Sequence, residues 1–121
     1  MKRVLIAALS ILALTGGARV ALGGSTPVGA LPVGPTANID VQHGELLAVA
    51  LPKRSAGHVW RVARPFDAKI LREVSEANVG SSTVLVFRAS GAGRTTVAFA
   101  LTKGDVSAKA LESRRYFVLV H

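Results

Sequence analysis

The 121 residues leave room for one domain, and the absence of cysteine excludes a disulfide framework, a thiolate metal site, a cysteine nucleophile and a lipoprotein anchor together. Fifteen basic residues against seven acidic ones give a formal charge of +8, but the cations are scattered and only 5% of the chain is aromatic. A nucleic-acid surface gathers cations on one face and interleaves stacking rings, so no nucleic-acid partner is expected.

In chain order, Met1-Lys2-Arg3 precedes the apolar run 4–14 and the small residues Gly16, Gly17 and Ala18. A basic start, a short apolar stretch and a small-residue zone predict a secretory signal peptide over 1–23, cut after Ala18 or Gly23. A spanning helix needs about 20 apolar residues, so no stable membrane insertion is expected once the leader is gone. The expected location is secreted or periplasmic. Loss of Lys2, Arg3 and Arg19 with a leader ending at Gly23 lowers the formal charge to +5.

Residues 24–38 carry three prolines and no apolar period, and read as a linker or loosely held arm before a domain over 39–121. From Ile39 short β-rich segments alternate with Gly, Pro, Ser or Asn. Strands are predicted over 39–42, 45–51, 58–64, 68–74, 83–89, 94–102 and 115–120, with a polar turn over 75–82. Leu47, Val49 and Leu51 share one face; so do His58, Trp60 and Val62; Leu85, Phe87 and Ala89; and Val97, Phe99 and Leu101. Segment 106–114, VSAKALESR, has the composition of two helical turns. About seven short alternating strands describe an all-β, Ig-like antiparallel β-sandwich, with a small β-barrel as its competitor.

Catalytic chemistry finds little footing. His43 adjoins a turn glycine, His121 ends the chain, and neither forms a ligand set with His58, so no metal and no cofactor are expected. No Gly-x-Ser-x-Gly elbow occurs, and the seven acids are isolated along the chain. Gly91-Ala92-Gly93-Arg94-Thr95 leads into a strand, where a phosphate loop leads into a helix. Binding without catalysis is the expectation.

One stretch suggests what is bound. Leu51-Pro52-Lys53-Arg54-Ser55-Ala56-Gly57-His58-Val59-Trp60 sends a polar loop out of one strand and returns through Gly-His-Val-Trp. This arrangement resembles the chagasin-like inhibitors of papain-type cysteine peptidases, whose first loop ends in Gly, an aromatic, any residue and Trp. The frame extends over roughly 39–120, through Val41, Gly44, Phe87, Ala89, Gly93, Val97, Phe99, Leu101 and Arg115-Tyr116-Phe117.

The resemblance implies a monomeric Ig-like sandwich that plugs a peptidase cleft non-covalently with three loops. Their residues here are Lys53, Arg54, Ser55, Ala56, Gly57 and His58; Gly80, Ser81 and Ser82; and Lys103, Gly104 and Asp105. Trp60 is then a core residue supporting the first loop. The first loop lacks the family's Asn-Pro, the second keeps one glycine, and Lys103-Gly104-Asp105 stands where Arg-Pro-Trp is usual. An alternative function is that of a non-inhibitory Ig-like binding module of the cell envelope.

Overall fold

The computed structural model describes residues 26–121, so the expected leader over 1–23 lies outside the described residues. Seven strands follow in order: β1 (Thr36–Val41), β2 (Leu46–Pro52), β3 (His58–Val62), β4 (Leu71–Val79), β5 (Ser82–Ala89), β6 (Gly93–Lys103) and β7 (Glu112–Val120). They form two sheets, one ordered β1-β7-β6-β3 and the other β2-β5-β4. The β1–β7 pairing is parallel and the others antiparallel. The chain is an Ig-like β-sandwich.

Alternation explains the core. Val49 and Leu51 of β2, Leu85 and Phe87 of β5, and Val97, Phe99 and Leu101 of β6 are buried between the sheets. From β7 the inward set is Tyr116, Val118 and Val120, while Phe117 on the other face is 43% exposed. Edge-to-face contacts run Phe66–Phe87–Phe99–Tyr116, with centroid spacings of 5.7, 6.3 and 5.8 Å, and cross from one sheet to the other. That geometry suits the aromatic quadrupole and ties the sheets together at their centre.

Three expectations need correction. The strand expected over 68–74 runs over Leu71–Val79 instead, and the polar turn shrinks to Gly80-Ser81. Its Glu73 and Glu76 lie opposite Phe87 and Leu85 across a β-bulge, on the inward side of an edge strand. Inward carboxylates and a bulge blunt an edge against pairing with another chain, and those same polar residues disguise the strand in the sequence.

The helical turns expected over 106–114 do not form; the segment is a loop until Glu112 opens β7. Tertiary contacts override propensity here. Leu111 N donates to Leu101 O at 2.7 Å, and Ala110 packs on Ala63, Ala98 and Ala100.

Finally, the stretch expected as a loose linker is docked, and β1 begins at Thr36. Val28 and Leu31 cover the outward alanines Ala63, Ala98 and Ala100. Ser113 Oγ donates to Pro32 O at 2.6 Å, and Arg64 donates to Val28 O and Gly29 O at 3.0 and 2.8 Å. At Gly34 a Cβ would collide with the backbone carbonyl of Ser113, so the arm lies close only because that residue has none.

Candidate functional site: three loops at one end

The β2–β3 loop, the β4–β5 turn and the β6–β7 loop meet at one end of the sandwich. Register dictates this. Pro52 pairs with Ser82 and His58 with Lys103, so the loop leaving β2 and entering β3 is flanked by the other two connections. Two backbone hydrogen bonds fasten it on either side: Lys53 N to Ser81 O at 2.9 Å, and Gly104 N to Gly57 O at 2.8 Å. Gly57, Gly80 and Gly104 all have positive φ, 85°, 59° and 76°, so each connection reverses through a conformation costly for other residues.

The structure therefore brings all three sequence-derived groups together. Lys53, Arg54, Ser55, Ala56 and Gly57 are exposed, with a turn closed by His58 N donating to Ser55 O at 3.0 Å. Gly80 and Ser81 are exposed, and Ser82 is half-buried as the first residue of β5. Lys103 and Asp105 are exposed around the half-buried Gly104. His58 opens β3, half-buried. The same end displays Val79 and Val106, 47% and 72% exposed. The basic Lys53, Arg54 and Lys103 share this end with the two valines.

Trp60 underlies the middle loop. Its ring is buried at 8% exposure, and Nε1 donates to the carbonyl oxygen of Pro52 at 2.8 Å. The guanidinium of Arg114 sits 5.7 Å from the ring centroid, within cation–π range.

Further fastening was not visible in the sequence. Arg54 reaches across to the first residue of β7, with Nε 2.8 Å from Glu112 Oε2 and Nη2 2.9 Å from Oε1. These hydrogen bonds hold the Glu112 carboxyl below the usual range, against slight burial and aided by the charges of Arg54 and Arg114. Arg61 anchors the β6–β7 loop from the sheet face. The sequence placed Arg54 in the first loop but gave no sign of these bonds, because the partners of both arginines lie at least 35 residues away.

No catalytic constellation accompanies these loops. Among the described residues no three His, Cys, Asp or Glu side chains gather as metal ligands. A shallow groove of about 600 Å³, lined by Asn38, Asp40, Arg94, Thr96, Phe117 and Leu119, lies on the outer sheet face toward the opposite end. Small-molecule chemistry favours concave sites, and this groove lies away from the three loops.

No family model matches the chain, and no curated protein matches it. Among solved structures it is similar to the cysteine protease inhibitor EhICP2 from Entamoeba histolytica, with TM-score 0.57, 14% identity, and coverage of 74% of this chain and 99% of that one. It is also similar to PbICP-C, solved in complex with falcipain-2, with TM-score 0.59, 12% identity, and coverage of 82% and 100%. At these identities the likeness is one of fold. The fold is that of chagasin-like cysteine protease inhibitors.

Proposed function

We propose that this chain is a protein inhibitor of papain-type cysteine peptidases that fills the active-site cleft with its three-loop end. The observation carrying the proposal is the lateral fastening of the loops, Ser81 O to Lys53 N and Gly57 O to Gly104 N, on a sandwich shared with known inhibitors. Loops ordered before binding lose less conformational entropy when they bind, and affinity gains accordingly. The central loop, residues 53–57, enters deepest; Gly80 and Ser81 contact one wall of the cleft, and Gly104, Asp105 and Val106 the other. The chain brings no thiol that could form a mixed disulfide, and inhibition works by excluding substrate from the peptidase thiolate.

Val79 and Val106 supply the apolar contact that an Arg-Pro-Trp third loop supplies in the family, over a smaller area. The leader expected over 1–23 delivers the protein to the secreted or periplasmic space, where it acts as a monomer. N-terminal sequencing of the exported protein tests that route, and retention of Met1 would contradict it.

Protection of the peptidase thiol tests the mechanism. Incubated with the purified protein, papain should resist alkylation by iodoacetamide in proportion to the inhibitor added. A variant with residues 53–57 replaced by Gly and Ser should protect poorly. Equal protection by both would remove the central loop from the mechanism. The replaced loop positions also favour a second reading, a non-inhibitory envelope-binding module, in which neither variant protects.

A further inference from the structure

The β6–β7 loop has no regular structure between Lys103 and Glu112, yet its shape is tied at several points to the N-terminal arm. Arg61 stands on the outward face of β3 beneath both. Its Nη1 donates to Thr26 O at 2.7 Å and to Asp105 O at 3.0 Å; Nη2 donates to Ser107 O at 2.6 Å; and Nε donates to Thr102 Oγ1 at 3.1 Å. Thr102 Oγ1 in turn donates to Gly104 O at 2.7 Å. Carbonyls at 104, 105 and 107 are thereby fixed, and Val106 between them is turned outward, 72% exposed.

The arm adds bonds of its own. Thr26 N donates to Asp105 O at 3.1 Å, and Gly29 N donates to Ala108 O at 2.7 Å. Val28 and Leu31 hold it to the outer face of the sheet through Ala63, Ala98 and Ala100, and the loop's Ala110 packs on the same alanines. Arm and loop lie side by side on one patch, with one guanidinium joining them. Lysine could not replace that fork, since its donors leave a single nitrogen.

We propose that residues 26–35 are a strap, pinned by Arg61, that holds the β6–β7 loop in the shape in which it meets a target. Arg61 is a positioning residue and touches no target itself. The importance of the held loop for binding rests on the inhibitor reading above; the holding itself does not.

Amide hydrogen exchange separates the two. In Arg61→Ala, exchange of the Thr26 and Gly29 amides, which donate to Asp105 O and Ala108 O, should rise roughly tenfold or more, because the charged fork that fixes the loop beside them is gone. Exchange in β5 and β6, and at Lys53 and His58, should stay as in the wild type. Arg61→Lys should behave like Arg61→Ala. Val28→Ser with Leu31→Ser frees the strap while leaving the inter-sheet core intact, and should speed exchange at Thr26 and Gly29 in the same way. It carries the test should Arg61→Ala fail to fold.

Against papain, each of these variants should dissociate roughly tenfold faster than wild type, the usual route by which interface changes lower affinity. Val106→Gly should cost less affinity in the Arg61→Ala background than alone. Unchanged exchange at Thr26 and Gly29 in the folded variants would overturn the strap. Wild-type protein that leaves papain active, with loop-specific exchange as expected, would overturn the inhibitor reading and leave the strap standing.

Discussion

Trp60 Nε1 donates to the carbonyl oxygen of Pro52 at 2.8 Å, so the last residue of β2 is tied to the third residue of β3 beneath the loop they bracket. One side chain thus serves the core through its ring and the loop through its N–H. Trp60→Phe keeps an aromatic ring but leaves that carbonyl without its donor. The expected cost is about 1 to 2 kcal/mol, read as a lower thermal midpoint, with faster exchange of the Lys53 and His58 amides. Faster exchange spread evenly over the domain would contradict a role specific to the loop.

Arg54 and Glu112 form a forked pair between the β2–β3 loop and the start of β7, each side chain more than a third exposed. Exposed pairs add little to global stability, so Arg54→Ala should leave the thermal midpoint within about 2 °C. Peptidase inhibition should nevertheless weaken roughly three- to tenfold, because an unpinned loop must be ordered on binding. Glu112→Gln should reproduce the effect. A large drop in midpoint with unchanged inhibition would reverse this assignment.

Glu73 is pushed up to about 7, first by burial and then by the neighbouring charge of Glu76, whose own carboxyl burial also raises. The folded state therefore holds a proton that the unfolded chain, near 4.5, releases earlier. Stability from Glu73 is fully present below about pH 4.5 and is lost as pH rises through about 7. Glu112 runs the other way, its contribution being lost as pH falls through its lowered folded value. The thermal midpoint should be higher near pH 5 than near pH 8, with a difference on the order of 2 kcal/mol in unfolding free energy. Glu73→Gln should flatten that slope, and a slope unchanged in the variant would place its origin elsewhere.

Gly34 lies where the arm approaches β7, and an added methyl meets the Ser113 backbone. Gly34→Ala should lift the arm and destabilise the domain by about 1 to 3 kcal/mol, in the range of substitutions that force a backbone shift. Chemical denaturation measures it. An unaltered midpoint would mean that the arm is not closely seated.

Strands with clean alternation were legible from the residues alone. Val97, Phe99 and Leu101 announce β6, and Leu47, Val49 and Leu51 announce β2, because a strand with one buried face must repeat every second residue. Lys53, Gly57, Gly80 and Gly104 came from the resemblance, whose loops fall between such strands. β4 was misread because Glu73, Ser75 and Glu76 protect an edge and so look like a turn.

The arm was misread for a different reason. Its Pro and Gly content describes local backbone, whereas its docking depends on Ala63, Ala98 and Ala100 being small on a face presented by distant strands. The fork of Arg61 joins Thr26 to Asp105 and Ser107, and no local pattern records such a meeting.

The most direct measurement is a titration of papain with the purified protein under reducing conditions, following residual peptidase activity. One-to-one loss of activity, restored when the complex is diluted, is the predicted result. Full activity at a micromolar excess of the protein would contradict the claim that these three loops fill a papain-type cleft.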